Sequence, residues 1–322
     1  MTTKRNRRNV SRRQMLLAGG GAAAFGLAGC FGDDPQNGED DGAGGENGNG
    51  DAEFSVAASF FMPFDVAQTI AGDLIAVEDL VPLGEHGHDW DPDPGIVEDI
   101  ENADAFIYTR GFSSWQDDAA DELENDDDTL VIEISEDIGF IDSPAEDNDE
   151  HFWMNPRIMQ DGTQNILDGF IELDPDNEDV YEENAAEFID ELEALHEEFQ
   201  DLSDRRQQDQ IIIGSHDSFQ WWWDEYGFDI YSPVGISPDD EASAADLEEV
   251  EALIEEHGVQ YILYDMLEPT NLAESLAAET DTEILPLSPI EGITDDIDED
   301  WGYLDHQREI NLDTLEMALE VE

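Results

Sequence analysis

Residues 174–206 read DPDNEDVYEENAAEFIDELEALHEEFQDLSDRR, and this stretch decides how the chain is organised. A turn-and-cap segment opens it, and apolar side chains then recur at steps of three and four residues: Ala185, Phe188, Ile189, Leu192, Leu195, Phe199 and Leu202. That spacing predicts an amphipathic helix over residues 178–206. A helix of about 29 residues is roughly 43 Å long. Because it lies near the middle of the chain, we expect it to join two halves rigidly.

Eight short β-branched or aromatic runs flank this helix, four on each side. They alternate with helical patterns, which favours parallel strands in α/β units. The predicted strands are Ser55–Phe60, Ala76–Pro82, Ala105–Thr109, Thr129–Ile134, Gln210–Gly214, Asp229–Val234, Gln260–Tyr264 and Glu283–Leu287. The sequence therefore predicts an α/β fold with two lobes, each with a four-stranded parallel sheet flanked by helices, joined by one long backbone helix. The predicted domains are an N-terminal lobe over 53–177, the connecting helix over 178–206 and a C-terminal lobe over 207–322.

The first 29 residues have the order of an export signal. Basic residues precede a short apolar stretch, Met15–Ala28, which falls short of the about 20 residues of a membrane-spanning helix. Ser11–Leu16 resembles a twin-arginine export motif, and Leu27–Cys30 resembles a lipobox. We expect cleavage before Cys30 and attachment of a lipid to its thiol. The alternative is a buried cysteine in a transmembrane anchor.

Cys30 is the only cysteine of the chain, which excludes an intrachain disulfide. Residues 30–52 are rich in Gly, Asn and acids and have no apolar periodicity, so they predict a flexible acidic tether. A tether of this kind has a root-mean-square reach of roughly 25–28 Å. The predicted location is extracytoplasmic, on the outer face of the cell membrane, with the lipidated Cys30 as the anchor.

The charge of the chain excludes several classes of partner. The sequence has 85 Asp and Glu against 11 Lys and Arg, and six of these cations lie in the first 13 residues. From Cys30 onward 5 arginines face 85 acids, a net charge of −80. This excludes nucleic acid, which needs a basic face, and docking on an anionic membrane surface.

The same charge indicates the salt concentration in which the protein folds. With 39% hydrophobic residues the chain still has the apolar content of a folded protein. Molar salt shortens the Debye length to about 3 Å and screens the self-repulsion. The composition therefore indicates a protein of a high-salt environment, whose acidic runs form a solvated surface.

Three histidines occupy equivalent places, in loops next to predicted strands or helices. His88 follows a strand, His151 comes just before a helix, and His216 follows Ile211–Gly214. The carboxyl ends of parallel strands are where open α/β sheets bind ligands. Neutral imidazoles suit zinc, and a carboxylate completes four-coordinate geometry. Composition does not select the carboxylate, but topology favours Glu291 after the last strand, so the predicted metal site is His88, His151, His216 and Glu291.

The other four histidines receive different interpretations. We expect His196 on the surface of the long helix and His257 at a helix end, before Gly258. His306 is expected to pack within the last helix. His86 lies two residues before His88, and whether it assists metal capture stays open.

Over nearly all of Phe54–Leu319 the chain resembles the metal-binding, periplasmic-type solute-binding proteins of ABC importers, in the zinc and manganese group. It also resembles a lipoprotein of haloarchaeal type. The segments that carry the resemblance are Val81–Gly84, His88–Pro92, His151–Pro156, Tyr181 with Asn184, Ser215–Phe219, Ser288–Thr294, Tyr303–Leu304 and Asn311–Leu312.

The resemblance implies one metal ion in a cleft between two lobes and delivery of that ion to a membrane permease with its ATPase. We expect a monomeric binding protein and no enzyme. Three features depart from the family pattern. Gly87 and Glu150 stand where the family usually has Pro, and the stretch 146–150 is acidic where many zinc binders have a His-rich loop. That stretch either gathers cations loosely or is ordinary acidic surface.

Three alternatives stay open. Manganese or ferrous iron is the nearest rival to zinc as the cargo. A secreted zinc hydrolase is a rival of another class, although the sequence has neither an HExxH helix nor a GxSxG elbow. A surface adhesin with the same fold is the third.

Overall fold

A computed structural model describes residues 52–88, 90, 92–123, 129–144, 148–235, 242–294, 297 and 301–321. The predicted export signal over 1–29, Cys30 and all of the predicted tether except Ala52 lie outside the described residues. Residues 146–147 of the acidic stretch also lie outside them. The described residues belong to one compact unit, Asn49–Glu322, and the domain bounds proposed above stay a prediction.

Two sheets, each of four parallel strands, organise the described residues. The first consists of β1 (Phe54–Ala58), β2 (Ile75–Asp79), β3 (Ala105–Tyr108) and β4 (Leu130–Glu133), in the order β2-β1-β3-β4. The second consists of β5 (Gln210–Ile213), β6 (Asp229–Tyr231), β7 (Tyr261–Asp265) and β8 (Glu283–Leu287), in the order β6-β5-β7-β8. Both sheets thus follow one topology, and the predicted fold class is confirmed.

Helices connect the strands and cover the sheets. They are α1 (Phe61–Ala71), α2 (Pro94–Asn102), α3 (Ser114–Leu123), α4 (Pro156–Leu173), α5 (Glu178–Arg205), α6 (Gln220–Tyr226), α7 (Ala244–His257) and α8 (Asn271–Thr280). A C-terminal helical segment follows, formed by Tyr303–Asp305, a π-helix over His306–Leu312 and Asp313–Ala318. None of the described helices combines the length and the apolar composition that crossing a membrane requires.

The central strands are apolar because they are covered on both faces. All four residues of β3 and all four of β5 are buried, as expected for parallel strands with helices on either side. In the first sheet Val56 pairs with both Val77 and Ala105. Since all strands of a sheet run in the same direction, the loops that follow them gather at one edge.

The long helix α5 joins the two sheets and ends one residue earlier than predicted. Its buried stripe contains Ala185, Phe188, Leu192, Leu195, Phe199 and Leu202. One hydrophobic core includes this stripe together with residues of both sheets, such as Val56 and Ile211. The two lobes therefore share a core, so α5 does more than span the distance between them.

The prediction that His196 lies on the surface is wrong. Its side chain is buried beside Leu195, and its Nδ1 lies 3.0 Å from the hydroxyl of Tyr226 on α6. Tyr226 in turn stacks on Phe199 of the apolar stripe. The buried face of α5 thus includes His196 as well as the apolar residues. His196 can be buried because the hydroxyl of Tyr226 is a hydrogen-bond partner for its imidazole.

Candidate metal centre

The loops at the carboxyl ends of the strands carry a cluster of histidines and acids. His86 and His88 follow β2, His216 follows β5, and Glu291 follows β8. His151 precedes a short 3-10 helix, Phe152–Met154, that leads into α4. The two lobes contribute these residues to one place between the sheets.

Two glycines let the loops of the two lobes meet backbone to backbone. The amide of Gly84 donates to the carbonyl of Ile293 at 2.9 Å. A Cβ at Gly87 would lie 2.8 Å from the carbonyl oxygen of Glu291, and one at Gly292 would lie 2.6 Å from that of Glu85. A side chain at either position would therefore push the two loops apart.

The Glu291 carboxylate lies at the centre of the cluster and is fully buried. Its Oε1 is 3.4 Å from Nε2 of His151 and 3.7 Å from Nε2 of His216, and its Oε2 is 3.2 Å from Nδ1 of His86. Burial alone would raise the pKa of Glu291, but the imidazoles of His86, His151 and His216 hold it well below its usual range. Glu291 is therefore an ionised carboxylate among three imidazoles.

The backbone just before Glu291 is strained. Ile290 has φ 62°, in the left-handed region that β-branched residues rarely adopt, at a cost of about 1–3 kcal/mol. Its amide donates to Oγ of Ser288 at 3.2 Å, and its side chain is fully buried. Packing and this hydrogen bond hold a conformation that turns Glu291 into the cleft.

His151 is fixed by an acid on its own loop. Its Nδ1 lies 2.9 Å from Oδ1 of Asp149, which also accepts the backbone N–H of His151 at 3.0 Å. Because a carboxylate only accepts, Nδ1 donates and Nε2 faces Glu291. Burial alone would lower the pKa of His151, but Asp149, Glu291 and Glu150 raise it well above its usual value.

His216 shows the same arrangement on the other lobe. Its Nδ1 contacts Glu268, and Oδ2 of Asp265 lies 3.2 Å from the same nitrogen. Its Nε2 contacts the hydroxyl of Ser218 and faces Glu291. Burial would lower the pKa of His216, but Glu268, Glu291 and Asp265 raise it to about 10.

His88 lies beside this group. Its Nε2 is 3.2 Å from Oε1 of Glu150, and its ring centroid is 5.9 Å from that of His151 and 6.4 Å from that of His216. The structure thus brings His151, His216 and Glu291 together, with donor atoms within 4.8 Å of one another. His88 forms a neighbouring group with Glu150 and His151, so the complete four-residue set stays a prediction.

Two buried atoms of the cluster make no hydrogen bond within the described part of the chain. They are Nε2 of His151 and Oε2 of Glu291. Buried polar atoms are almost always paired, because leaving them unpaired costs free energy. Imidazole nitrogens and a carboxylate that converge in this way match the ligands that zinc prefers. The arrangement is suited to hold one divalent cation.

Sequence reasoning missed the acids that hold the imidazoles and left His86 open. Asp149, Asp265 and Glu268 each contact a histidine of the cluster. Asp265 ends β7 and Glu268 follows it, so the strand-end argument that favoured Glu291 also applied to them. With 85 acids in the chain, composition gave no reason to single them out.

Comparison with known proteins identifies related chains. The family described as zinc-uptake complex component A, periplasmic (ZnuA), matches residues 56–318. The high-affinity zinc uptake system protein ZnuA of Bacillus subtilis is 26% identical over 279 residues, which cover 82% of this chain and 87% of that protein.

Two solved structures share the fold. The metal-dependent lipoprotein YcdH of Bacillus subtilis superposes with a TM-score of 0.73 at 28% identity, over 84% of this chain and 100% of that one. The laminin-binding protein Lmb of Streptococcus agalactiae, described as a bifunctional protein with adhesin and metal-transporting activity, has a TM-score of 0.74 at 26% identity. That match covers 83% of this chain and 99% of Lmb.

Proposed function

Since the chain belongs to the ZnuA family of zinc-uptake solute-binding proteins, we propose that it captures zinc between its two lobes and delivers it to an ABC importer. The family consists of solute-binding transport proteins, whose partners are a permease and its ATPase. The predicted family, zinc-uptake solute-binding proteins of ABC importers, and its role in zinc transport are confirmed.

One observation carries the assignment to zinc. Two buried imidazoles, those of His151 and His216, each bind an acid through one nitrogen and turn the other toward the ionised Glu291. A carboxylate that bonds the outer nitrogen of a histidine fixes its tautomer and raises its basicity as a metal ligand. Zinc is held by such nitrogen and carboxylate donors, whereas manganese is better suited to oxygen ligands.

We propose His88, His151, His216 and Glu291 as zinc ligands. His151, His216 and Glu291 already converge. Nε2 of His88 lies 3.2 Å from Oε1 of Glu150, and the ring of His88 lies 5.9 Å from that of His151, centroid to centroid.

The test is zinc affinity in molar salt, measured by competition with a chelating dye. His151→Ala or His216→Ala is expected to weaken binding by more than tenfold, because each removes an imidazole and leaves Glu291 without one of its partners. His257→Ala is the matched control, since His257 is exposed at the end of α7. If both site variants bind zinc like the parent protein, the assignment is wrong.

A competition experiment tests manganese and ferrous iron, the nearest alternatives to zinc as the cargo. Titration of the zinc-loaded protein with manganese or ferrous iron is expected to displace little zinc, because three imidazoles favour the later metal in the divalent series. Displacement by equimolar manganese would support manganese as the cargo. Elemental analysis of protein purified without chelators would show which ion is bound.

We further propose that the protein is a monomeric lipoprotein, exported through its twin-arginine signal and anchored by Cys30 on the outer face of the membrane of a halophile. The sequence of the first 30 residues and the acidic composition support this proposal. Cys30→Ser is expected to release the protein into the medium, and mass spectrometry of the membrane-bound form would detect the lipid. Retention of Cys30→Ser on the membrane would contradict it.

A second candidate is adhesion, favoured by the whole-chain similarity to the laminin-binding protein Lmb. Immobilised laminin would distinguish the two functions. Saturable binding in molar salt would support an adhesin role in addition to zinc uptake. Growth of a deletion strain under zinc limitation tests the transport role separately.

A further inference from the structure

Trp153 connects the two loops that carry His151 and Glu291. It follows His151 by two residues in the chain, and its side chain is fully buried. Its indole N–H donates to the carbonyl of Pro289 at 2.8 Å, and Pro289 precedes Glu291 by two residues. One hydrogen bond therefore joins the segment before α4 to the loop after β8.

The ring of Trp153 also packs against the imidazole of His151. The centroids of the two rings lie 5.2 Å apart. The indole further contacts the buried rings of Phe60 at 5.4 Å and Phe112 at 5.5 Å, centroid to centroid. Close packing of this kind leaves a buried side chain little freedom to turn. The indole is therefore held in an orientation that supports the His151 ring and directs its N–H to the loop of Glu291.

The backbone of Trp153 is held by the same element that holds the loop of Glu291. The hydroxyl of Tyr303 donates to the carbonyl of Trp153 at 2.5 Å. Tyr303 begins the C-terminal helical segment, and Asn311 of that segment forms two hydrogen bonds with the backbone of Ser288. The partners of Trp153 and the partners of the Glu291 loop thus form one connected network.

The loop of Glu291 depends on such support because its backbone is strained. Ile290, between Pro289 and Glu291, has φ 62°, and a conformation of this kind persists only where the surrounding structure holds it. Loss of the bond from Trp153 would leave the buried carbonyl of Pro289 without this donor and let the loop relax. The separation of 3.4 Å between Oε1 of Glu291 and Nε2 of His151 would then no longer be fixed.

We propose that Trp153 is a positioning residue for the metal site, which fixes Glu291 relative to His151 before the ion binds. The proposal rests on the proposed function, because Glu291 and His151 are both proposed ligands of the same ion. Trp153 is not a ligand, since an indole N–H only donates. It acts through the two loops, and it reduces the ordering that binding of the ion would otherwise require.

The test compares Trp153→Phe with Trp222→Phe, the matched control. Trp222 is also fully buried, and its indole N–H donates to a carbonyl of the same segment, that of Met154, at 2.7 Å. Both variants lose one indole and one hydrogen bond, but only Trp153→Phe loses the bond to the loop of Glu291. Zinc affinity in molar salt is expected to be roughly 3- to 10-fold lower in Trp153→Phe than in Trp222→Phe. Equal affinities would overturn the proposal.

Hydrogen exchange of the metal-free protein provides a readout that does not depend on zinc. The backbone amides of residues 287–293 are expected to exchange roughly 3- to 10-fold faster in Trp153→Phe than in the parent protein. Trp222→Phe is expected to leave the exchange of this loop close to that of the parent. If the two variants exchange equally in this loop, Trp153 contributes only general stability and the proposal is overturned.

A variant that preserves the size of the ring avoids the cavity that phenylalanine leaves. β-(3-Benzothienyl)alanine has nearly the shape of tryptophan but no N–H, and it can replace Trp153 or, as the control, Trp222. Faster exchange of residues 287–293 in the first replacement alone would support the proposal, and no difference between the two would overturn it. If the parent protein binds no zinc in molar salt, the proposed function fails, whereas the exchange experiment still decides whether Trp153 positions the loop.

Discussion

Two buried histidines of the cluster, His151 and His216, have the same arrangement of partners. This arrangement makes protons compete with the metal ion. In His151 and His216, Nδ1 bonds an acid while Nε2 faces Glu291. The acids fix the tautomers and make the free nitrogens better ligands. They also raise the pKa of both imidazoles. The metal-free site therefore binds protons at neutral pH, and a metal ion must displace them.

Zinc binding is accordingly expected to release at least one proton per ion at pH 7. The pKa of His216 is raised to about 10, so protons occupy the site below that pH and binding strengthens as the pH rises. The apparent affinity should increase roughly tenfold per pH unit for each proton released. Calorimetry in buffers of different ionisation enthalpy measures that number directly.

Asp149→Asn provides the comparison for this prediction. Asparagine can still contact Nδ1 of His151 but has no charge, so the pKa of His151 falls and fewer protons should be released. A zinc affinity of the parent protein that stays constant between pH 6 and pH 8 would contradict the prediction.

At the scale of elements, the C-terminal helical segment holds the loop that carries Glu291. Asn311 accepts the backbone N–H of Ser288 at 2.8 Å and donates to its carbonyl at 3.0 Å. The hydroxyl of Ser288 lies 2.7 Å from Nδ1 of His306. His306 and Asn311 both belong to the π-helix, a form that appears mainly at functional sites. Here the wider turn allows two polar side chains to reach one serine.

His306 makes this support dependent on pH. Burial lowers its pKa from 6.5 to about 4, so the folded protein keeps His306 neutral while the unfolded chain protonates it below pH 6.5. Its contribution to stability is complete above pH 6.5 and is lost as the pH falls toward 4. At pH 5 the loss is about 2 kcal/mol.

Urea unfolding of the metal-free protein at pH 7 and pH 5 measures this loss, with His306→Asn as the variant. The side-chain oxygen of asparagine can accept a hydrogen bond from the hydroxyl of Ser288, but asparagine does not titrate. The fall in unfolding free energy between the two pH values should be smaller in the variant by about 2 kcal/mol. Equal falls would show that His306 does not couple to stability.

The sequence predicts elements well where the apolar pattern is strong. The last strand, Glu283–Leu287, and the start of the long helix at Glu178 agree with the structure, because an apolar period of two or of 3.6 depends only on neighbouring residues. The convergence of His151, His216 and Glu291 was also predictable, since parallel strands bring their carboxyl ends to one edge, and their role as ligands stays a prediction.

Tertiary packing determines the features that the sequence did not predict. The burial of His196 depends on Tyr226, 30 residues away, and the position of the His86 side chain depends on Asp265, 179 residues away. The π-helix over His306–Leu312 has no apolar signature of its own. Pairings of polar side chains at such separations leave no local pattern in a single sequence.

At the scale of the whole molecule, hydrogen bonds join the lobes around the cluster. The indole N–H of Trp153 donates to the carbonyl of Pro289 at 2.8 Å, and that of Trp222 donates to the carbonyl of Met154 at 2.7 Å. The indole N–H of Trp221 donates to the backbone carbonyl of Asp149 at 3.1 Å. With the shared core and α5, these contacts limit how far the lobes can move apart, so release of zinc should depend on local movement of the loops.

At the same scale, the charge of the molecule leads to a prediction about salt. Each of the five arginines in the described residues pairs with an acid, namely Arg110, Arg157, Arg205, Arg206 and Arg308. With 85 acids against 11 Lys and Arg, most acids have no basic residue to pair with, and their repulsion acts against the compact state unless salt screens it. The melting temperature of the metal-free protein is therefore expected to rise by about 10 °C or more between 0.2 M and 3 M KCl. Circular dichroism measures the melting temperature. Sucrose at matched osmolality is the control, because sucrose is excluded from the protein surface but does not screen charge. A melting temperature that stays constant or falls with KCl would show that the acidic surface is not adapted to salt.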